Sequence, residues 1–481
     1  MIRSKTKKIV DEKNIHRKLR MKLSKTNEDS WKKSRSWMFM NYCLGAFLFG
    51  LSLTAYYPTE YYYFKDTMKV KEPDLFYGLS WAFLCGSGVI TSLLGSYYAD
   101  STKNVREVCL VTNVVNIVGN ILYVLYYSPY LVLLGQLLVG TAAARMVAAV
   151  GEISRVYETN DLTQNLSFLG IFSTIGSVTG PCTTYLFALV DTDIGAWKLN
   201  IGNMVGITMA ILYFLQLVLN YFTLENVSKQ YNLKEHESET ILLENMENER
   251  EEEEEEEVGE SDKKEEEQES FYKKYIKAIK VLLQSNHILF LYSLCFFASF
   301  ARATITLLQP IKAVKYLSWK QTHLATFNII STVSGAIPTA VILTLISKRV
   351  NDFYLLLFTL LTLLLALGVF GFLPWLASNQ VLAYVVTYSN GILTLASTAG
   401  FHIISRSMLA KFVPDNIQTV TEAIRNALFE LSYMVAGLSV KLPSSYFPEA
   451  MICMAVLIFL AIMWLLFDHK KYKEVKIISL N

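Results

Sequence analysis

Residues 353–376 read FYLLLFTLLTLLLALGVFGFLPWL, without a single charged side chain. A hydrocarbon core about 30 Å thick is crossed by about 20 residues of helix, and lipid offers no partner for backbone N–H and C=O groups. A run of this length and apolarity therefore folds as a membrane-spanning helix. Working outward from it, the same criterion marks five further spans in the second half, near 284–308, 321–347, 380–410, 418–441 and 448–467. Six more lie in the first half, near 37–57, 75–98, 107–127, 130–155, 163–190 and 200–222. The chain reads as an all-α integral membrane protein with twelve transmembrane helices in two six-helix bundles. A composition that is 52% hydrophobic and only 18% charged lies on the apolar side of soluble domains and agrees with that reading.

Charge placement divides the chain into a basic arm (1–36), the first bundle (37–222), an acidic linker (223–283), the second bundle (284–467) and a short tail (468–481). Short loops rich in Lys and Arg stay in the cytosol. The arm, Lys103 and Arg106 after the second span, Lys348 and Arg349 after the eighth, and Lys470, Lys471 and Lys473 in the tail then place both termini there. Lys312, Lys315 and Lys320 fall in a loop on the opposite side, a minor exception. The first span is expected to remain as an uncleaved anchor, since the basic arm is not followed by a short apolar run with a cleavage site.

The linker holds glutamate at every position from 251 to 257 and is expected to be a largely disordered tether, having too few apolar residues to bury. Within it Leu242-Leu243 follows Glu237 and Glu239, a degenerate acidic dileucine pattern and a candidate contact for sorting machinery. The net charge of +2 averages a basic arm and an acidic linker, so no nucleic-acid partner is expected. The six cysteines and six histidines show no metal-ligand spacing, and neither a cofactor nor a metal is expected. Nucleotide loops and hydrolytic triads are also missing, which argues against an enzyme. Asn165-Leu-Ser and Asn226-Val-Ser lie on the cytosolic side in this topology and should carry no glycan.

Two local motifs carry a family resemblance. Gly176-Ser-Val-Thr-Gly180-Pro181 in the fifth span is similar to a GxxxGP element, in which small residues let helices approach and proline bends the chain. The stretch from Gly95 to Arg106, with Ala99-Asp100 and Lys103, resembles a degenerate GxLADRxGRK loop. Both motifs, with the six-plus-six arrangement, resemble the major facilitator superfamily. The resemblance implies transport by rocking of two halves, Asp100, Lys103 and Arg106 as a cytosolic latch, and Gly176, Gly180 and Pro181 as a conformational glycine-proline element. Shorter segments at 137–140, 197–203, 319–323, 345–348 and 372–375 resemble one branch, the ceroid-lipofuscinosis-linked lysosomal proteins called major facilitator superfamily domain-containing protein 8. This implies an endolysosomal membrane and either a carrier or an anion-conducting relative. Gln136 stands where many members carry arginine, and the eleventh span has no glycine-proline element.

An ionisable side chain within a span costs about 2.5–3.5 kcal/mol on insertion scales, so each needs a partner or a water-filled cavity. Arg145 and Glu152 lie seven residues apart, on one helix face and about 10 Å apart along the axis, and are expected to face one cavity. Arg145 and Arg302 are candidate ligands for a substrate or anion; Glu152 and Glu430 are candidate proton-coupling acids. Glu422 and Arg425 are spaced to pair within the eleventh span, and His402 and Arg406 share a face of the tenth. The function expected is secondary active transport of a small, candidate anionic solute by alternating access, coupled to an ion or proton. An endolysosomal chloride channel on the same fold is the alternative, and a non-transporting scaffold the least favoured. The partners expected are the solute and the lipid bilayer.

Overall fold

The computed structural model describes residues 25–157, 159–190, 192–194, 197–230, 286–346, 350–376, 378–412, 418–441 and 446–467. The start of the basic arm, Leu242-Leu243, the glutamate run at 251–257, Lys348-Arg349 and the tail lysines lie outside the described residues.

Helix starts follow local chemistry. Pro73 and Pro129 stand in first turns, where a missing N–H costs nothing. Asn200 caps with Asn203 in a reciprocal capping box, and the Asn351 side chain accepts from the Phe353 N–H. Both satisfy N–H groups that the first helical turn leaves free. The first half comprises α1 (Lys25–Tyr56), α2 (Pro73–Thr102), α3 (Val105–Val124), α4 (Pro129–Val139 and Ala142–Val156), α5 (Thr159–Phe187) and α6 (Ile201–Thr223). The second comprises α7 (Asn286–Leu317), α8 (Gln321–Ser331 and Ile337–Ile346, joined through a π-turn), α9 (Asp352–Gly371), α10 (Gln380–Phe412), α11 (Gln418–Ser439) and α12 (Phe447–Phe467). Among the described residues, ten of the twelve are long and apolar enough to cross a bilayer on length and hydropathy alone. A short antiparallel ribbon, β1 (Thr192–Ile194) with β2 (Trp197–Leu199), joins α5 to α6 in this otherwise helical fold. Below, the hairpin face is the end of the bundle carrying this ribbon, and the linker face is the end where α6 stops and α7 begins.

Three local features go beyond a plain count of spans. α7 runs on to Leu317, past the expected end at 308, so Lys312 is a helical residue. It is buried, with its ammonium 4.7 Å from the Phe447 ring centroid, and takes no part in a loop. Secondly, the chain after α1 does not leave the protein interior. A helical turn at Glu60–Tyr62 and a π-turn at Tyr63–Thr67 bury Tyr61, Tyr62, Tyr63 and Phe64. Thirdly, the first residues of the linker pack back onto the first bundle, with Leu224 and Val227 buried beside α1, α3 and α4.

The halves meet along α2 with α11 and along α5 with α8. Gly78 and Gly437 face each other across the first seam; a Cβ on Gly437 would sit 2.5 Å from the Gly78 carbonyl oxygen. At the hairpin face further contacts cross between the halves. Tyr57 Oη donates to Gln309 Oε1 at 3.3 Å, Tyr62 Oη to the Trp319 carbonyl, Tyr185 Oη to the Thr322 carbonyl at 3.2 Å, and Lys441 pairs with Glu72 at 2.9 Å. Within the first half, the Gly176 backbone lies so close to α1 that a Cβ there would fall 2.0 Å from the Phe47 carbonyl oxygen. Gly176→Leu forces these helices apart and is expected to cost about 1–3 kcal/mol, read as a lower Tm of the purified protein; an unchanged Tm would mean that α1 and α5 do not pack this closely.

Candidate functional site

A narrow crevice opens between the halves, lined by Ser52 of α1, Leu84 of α2, Gly140 and Ala143 of α4, Tyr213 of α6 and Glu430 of α11. Glu430 is buried against Gly88 of α2, whose missing side chain leaves room for the carboxyl group, near the Cys85 thiol. Arg302 of α7 is the cation whose charge acts on it. The Arg302 guanidinium lies over the rings of Phe429 and Tyr433, at 5.3 and 5.5 Å, an arrangement in which ring faces attract the cation.

From Arg302 a chain of charged and imidazole groups runs down the second half toward the linker face. Arg302 NH1 lies 3.2 Å from His402 Nε2, and Arg425 NH1 lies 3.1 Å from His402 Nδ1. Arg425 grips Glu422 through Nε and NH2 at 2.8 and 2.7 Å, and Arg406 reaches the same carboxylate. The pair at Glu422 and Arg425 is thus a triad with Arg406. His402 and Arg406, which share a face of α10, take different places in this chain, His402 between Arg302 and Arg425 and Arg406 at its far end.

Arg145 and Glu152 do not meet in one cavity. Arg145 is turned into the first bundle, where NH1 donates to Asn113 Oδ1 at 2.5 Å and Gln216 Oε1 at 2.7 Å, and NH2 to the Gly45 carbonyl at 3.3 Å. Glu152 accepts from the Ser228 N–H at 2.8 Å, the Ser228 hydroxyl at 2.5 Å and Arg155 at 2.9 Å. Two helical turns separate them, and each finds its own partners, amides from α3 and α6 in one case and the returning linker in the other. The expected latch is likewise divided. Asp100 pairs with Arg155 rather than with Arg106, and Lys103 ends α2 in a left-handed conformation, φ 54°. Arg106 donates to the Tyr221 carbonyl at 2.7 Å, while its own N–H is accepted by Asn226 Oδ1 at 2.8 Å. A glycan on Asn226 would displace that bond.

Two features escape the sequence reading. Glu60, which falls between the first two expected spans, is 1% exposed; Ser80 Oγ donates to Oε1 at 2.5 Å and Gln136 Nε2 at 3.0 Å. Burial pushes its carboxyl up to about 8. Its signal is that the apolar run of α1 continues through Tyr56-Tyr57-Pro58-Thr59-Glu60-Tyr61-Tyr62-Tyr63-Phe64. The second is a ladder of fully buried asparagines on α3, Asn113, Asn116 and Asn120, spaced to fall on one helix face.

Among the described residues no group of three or more His, Cys, Asp or Glu side chains could hold a metal ion. Residues 42–437 match the family model of the Major Facilitator Superfamily. The chain belongs to the major facilitator superfamily. No curated protein matches it in sequence. Among solved structures, a POT family transporter in complex with a thioalcohol-conjugated peptide superposes with TM-score 0.67 at 12% identity, covering 92% of this chain and 97% of that one. A D-xylose-proton symporter gives 0.63 at 14% identity, covering 92% and 99%, and the nucleoside transporter NupG 0.61 at 13%, covering 90% and 99%. At such identities these likenesses concern the fold. The superfamily membership sets this protein among membrane transporters rather than enzymes.

Two measurements follow from the site. Glu422→Gln leaves Arg406 and Arg425 without their carboxylate and is expected to destabilise the protein by about 3–5 kcal/mol, seen as a loss of monodisperse protein on heating. For Glu60 the sign is set by a folded-state proton affinity above the unfolded one. The folded protein holds the proton over a range in which the unfolded chain has released it, so stability falls as pH rises through that range toward about 8. The pH slope of Tm should flatten in Glu60→Gln; an unchanged slope would assign it to other groups.

Proposed function

We propose that the protein is a secondary active transporter that moves a small anionic solute by alternating access of its two halves, with proton coupling. The observation that carries the reading is Glu430 lining the crevice between the halves, within electrostatic reach of Arg302. An arginine held over two aromatic rings offers an anion fixed positive charge. A buried carboxyl beside it exchanges a proton at modest electrostatic cost when an anion arrives or leaves. His402 adds a third polar group, its ring nitrogens facing two arginines. Arg145 and Glu152, turned away from the crevice, hold the first bundle together in this reading.

The hairpin-face contacts run between the halves, whereas Asp100–Arg155 and Glu422 with its arginines lie within single halves at the other end. This asymmetry supports a carrier closed toward one side, and weighs against a chloride channel, which needs a continuous path. The segments resembling the lysosomal branch support placement in an endolysosomal membrane with both termini cytosolic, and Leu242-Leu243 remains the candidate sorting contact.

The test is flux into reconstituted vesicles under an imposed pH gradient, using radiolabelled chloride, phosphate and short carboxylates as probes. Saturable, gradient-driven uptake of one probe should fall by about tenfold or more in Arg302→Ala, and lose its pH dependence in Glu430→Gln. Uptake that never saturates and survives in Glu430→Gln would replace the carrier with the channel. Wild-type uptake in both variants would move the solute site elsewhere.

A further inference from the structure

The buried acid of the first half sits where the two halves close on each other. Glu60 lies in the helical turn that follows α1, three residues after Tyr57 and two before Tyr62. Those two tyrosines donate across the seam, Tyr57 to Gln309 and Tyr62 to the Trp319 carbonyl. Whatever holds Glu60 in the interior therefore also holds the tyrosines in place to seal the hairpin face.

What holds it there is uncharged. Its polar contacts are Ser80 of α2 and Gln136 of α4. The titratable groups around it are the hydroxyls of Tyr56 at the end of α1, Tyr77 of α2 and Tyr123 of α3, none of which can supply positive charge. Ser80 and Gln136 each donate to the Glu60 Oε1, and such bonds favour the charged form, but burial without a cation outweighs them and favours the acid. Water is the better solvent for the carboxylate, and the interior for the acid.

We propose that Glu60 is a proton-binding site that controls the hairpin-face seal, closed while Glu60 is protonated and opened when the carboxylate leaves for water. On closure the carboxylate takes one proton from the aqueous phase at that face, forming the O–H bond of the buried acid. On opening the O–H bond breaks, the proton returns to water, and the turn carrying Tyr57 and Tyr62 withdraws from the second half. Glu60 is thus a positioning residue that acts through the seal and touches no solute. The proposal shares the alternating-access reading, but the seal can be followed without any solute, so the two can fail separately.

The experiment places spin labels at Glu72→Cys and Lys441→Cys, the exposed pair that faces across the same seam at 2.9 Å. An exposed ion pair contributes little, so the labels report the seal without breaking it. Cys182 and Cys453, the exposed native cysteines, are replaced by serine, and the full chain is studied in lipid nanodiscs. The distance distribution between labels is measured from about pH 5 to about pH 9, the range over which a raised carboxyl titrates. A single short distance at the acidic end is expected, with a longer population growing as pH rises. In Glu60→Gln, which carries the uncharged side chain permanently, the short distance should persist at every pH. In Glu60→Asp the transition should remain, with a shifted midpoint. The idea is overturned if Glu60→Gln titrates as the parent does, or if the parent distance ignores pH. Should Glu60→Gln not fold, Gln136→Leu, which removes a hydrogen bond that favours the carboxylate, must move the midpoint to higher pH; an unmoved midpoint overturns the proposal equally.

Discussion

Lipid cannot solvate a charge, and this constraint orders the protein more than any single packing contact. Each ionisable group carried into the interior is answered by a neighbour of a different kind. Glu422 is met by two arginines, Glu152 by a serine and an arginine, Arg145 by two amides and a backbone carbonyl, and Arg302 by aromatic faces and an imidazole. The helices that bring these partners together come from distant parts of the sequence, so satisfying the charges also fixes how the bundles pack. Removing one member of such a set leaves the other stranded, and the cost is that of a buried unpaired group rather than of one lost bond.

The two halves use this constraint differently. In the second half the charges form a line from the crevice to the linker face, and so link the space between the halves to one end of the molecule. In the first half they are split into separate knots, one around Arg145 deep in the bundle and one around Glu152 where the linker returns. Coupling travels through elements with two arrangements, not through contacts alone. The seams along α2–α11 and α5–α8 are where such rearrangement is available in a superfamily fold, since each bundle is internally tied by its own buried pairs.

Much of the fold was legible because a bilayer imposes a length and a composition on every crossing segment, and the twelve helices fall close to their expected places. The ends were less legible. α7 continues past 308 because Lys312 can bury its stem and rest its ammonium on Phe447, and a hydropathy reading treats any lysine as a boundary. Glu60 was hidden for the same reason: one acid in an aromatic run ends a span by arithmetic, although burial with Gln136 and Ser80 keeps it inside. Spacing put Arg145 and Glu152 on one face correctly but could not say which neighbours each would meet. The asparagines of α3 were passed over because uncharged amides barely register in a charge census, yet one of them holds Arg145 and another accepts from Tyr56.

The hairpin-face seal is made mainly by tyrosine hydroxyls donating to neutral oxygens, with one exposed ion pair at its rim. Mobile ions weaken attractions between solvent-exposed charges over about 8–10 Å at ordinary ionic strength, but they leave neutral hydrogen bonds nearly untouched. Closure at this face is therefore buffered against the salt content of the compartment it borders. A transporter whose gate is built in this way keeps the same resting balance in a dilute fluid and in a concentrated one.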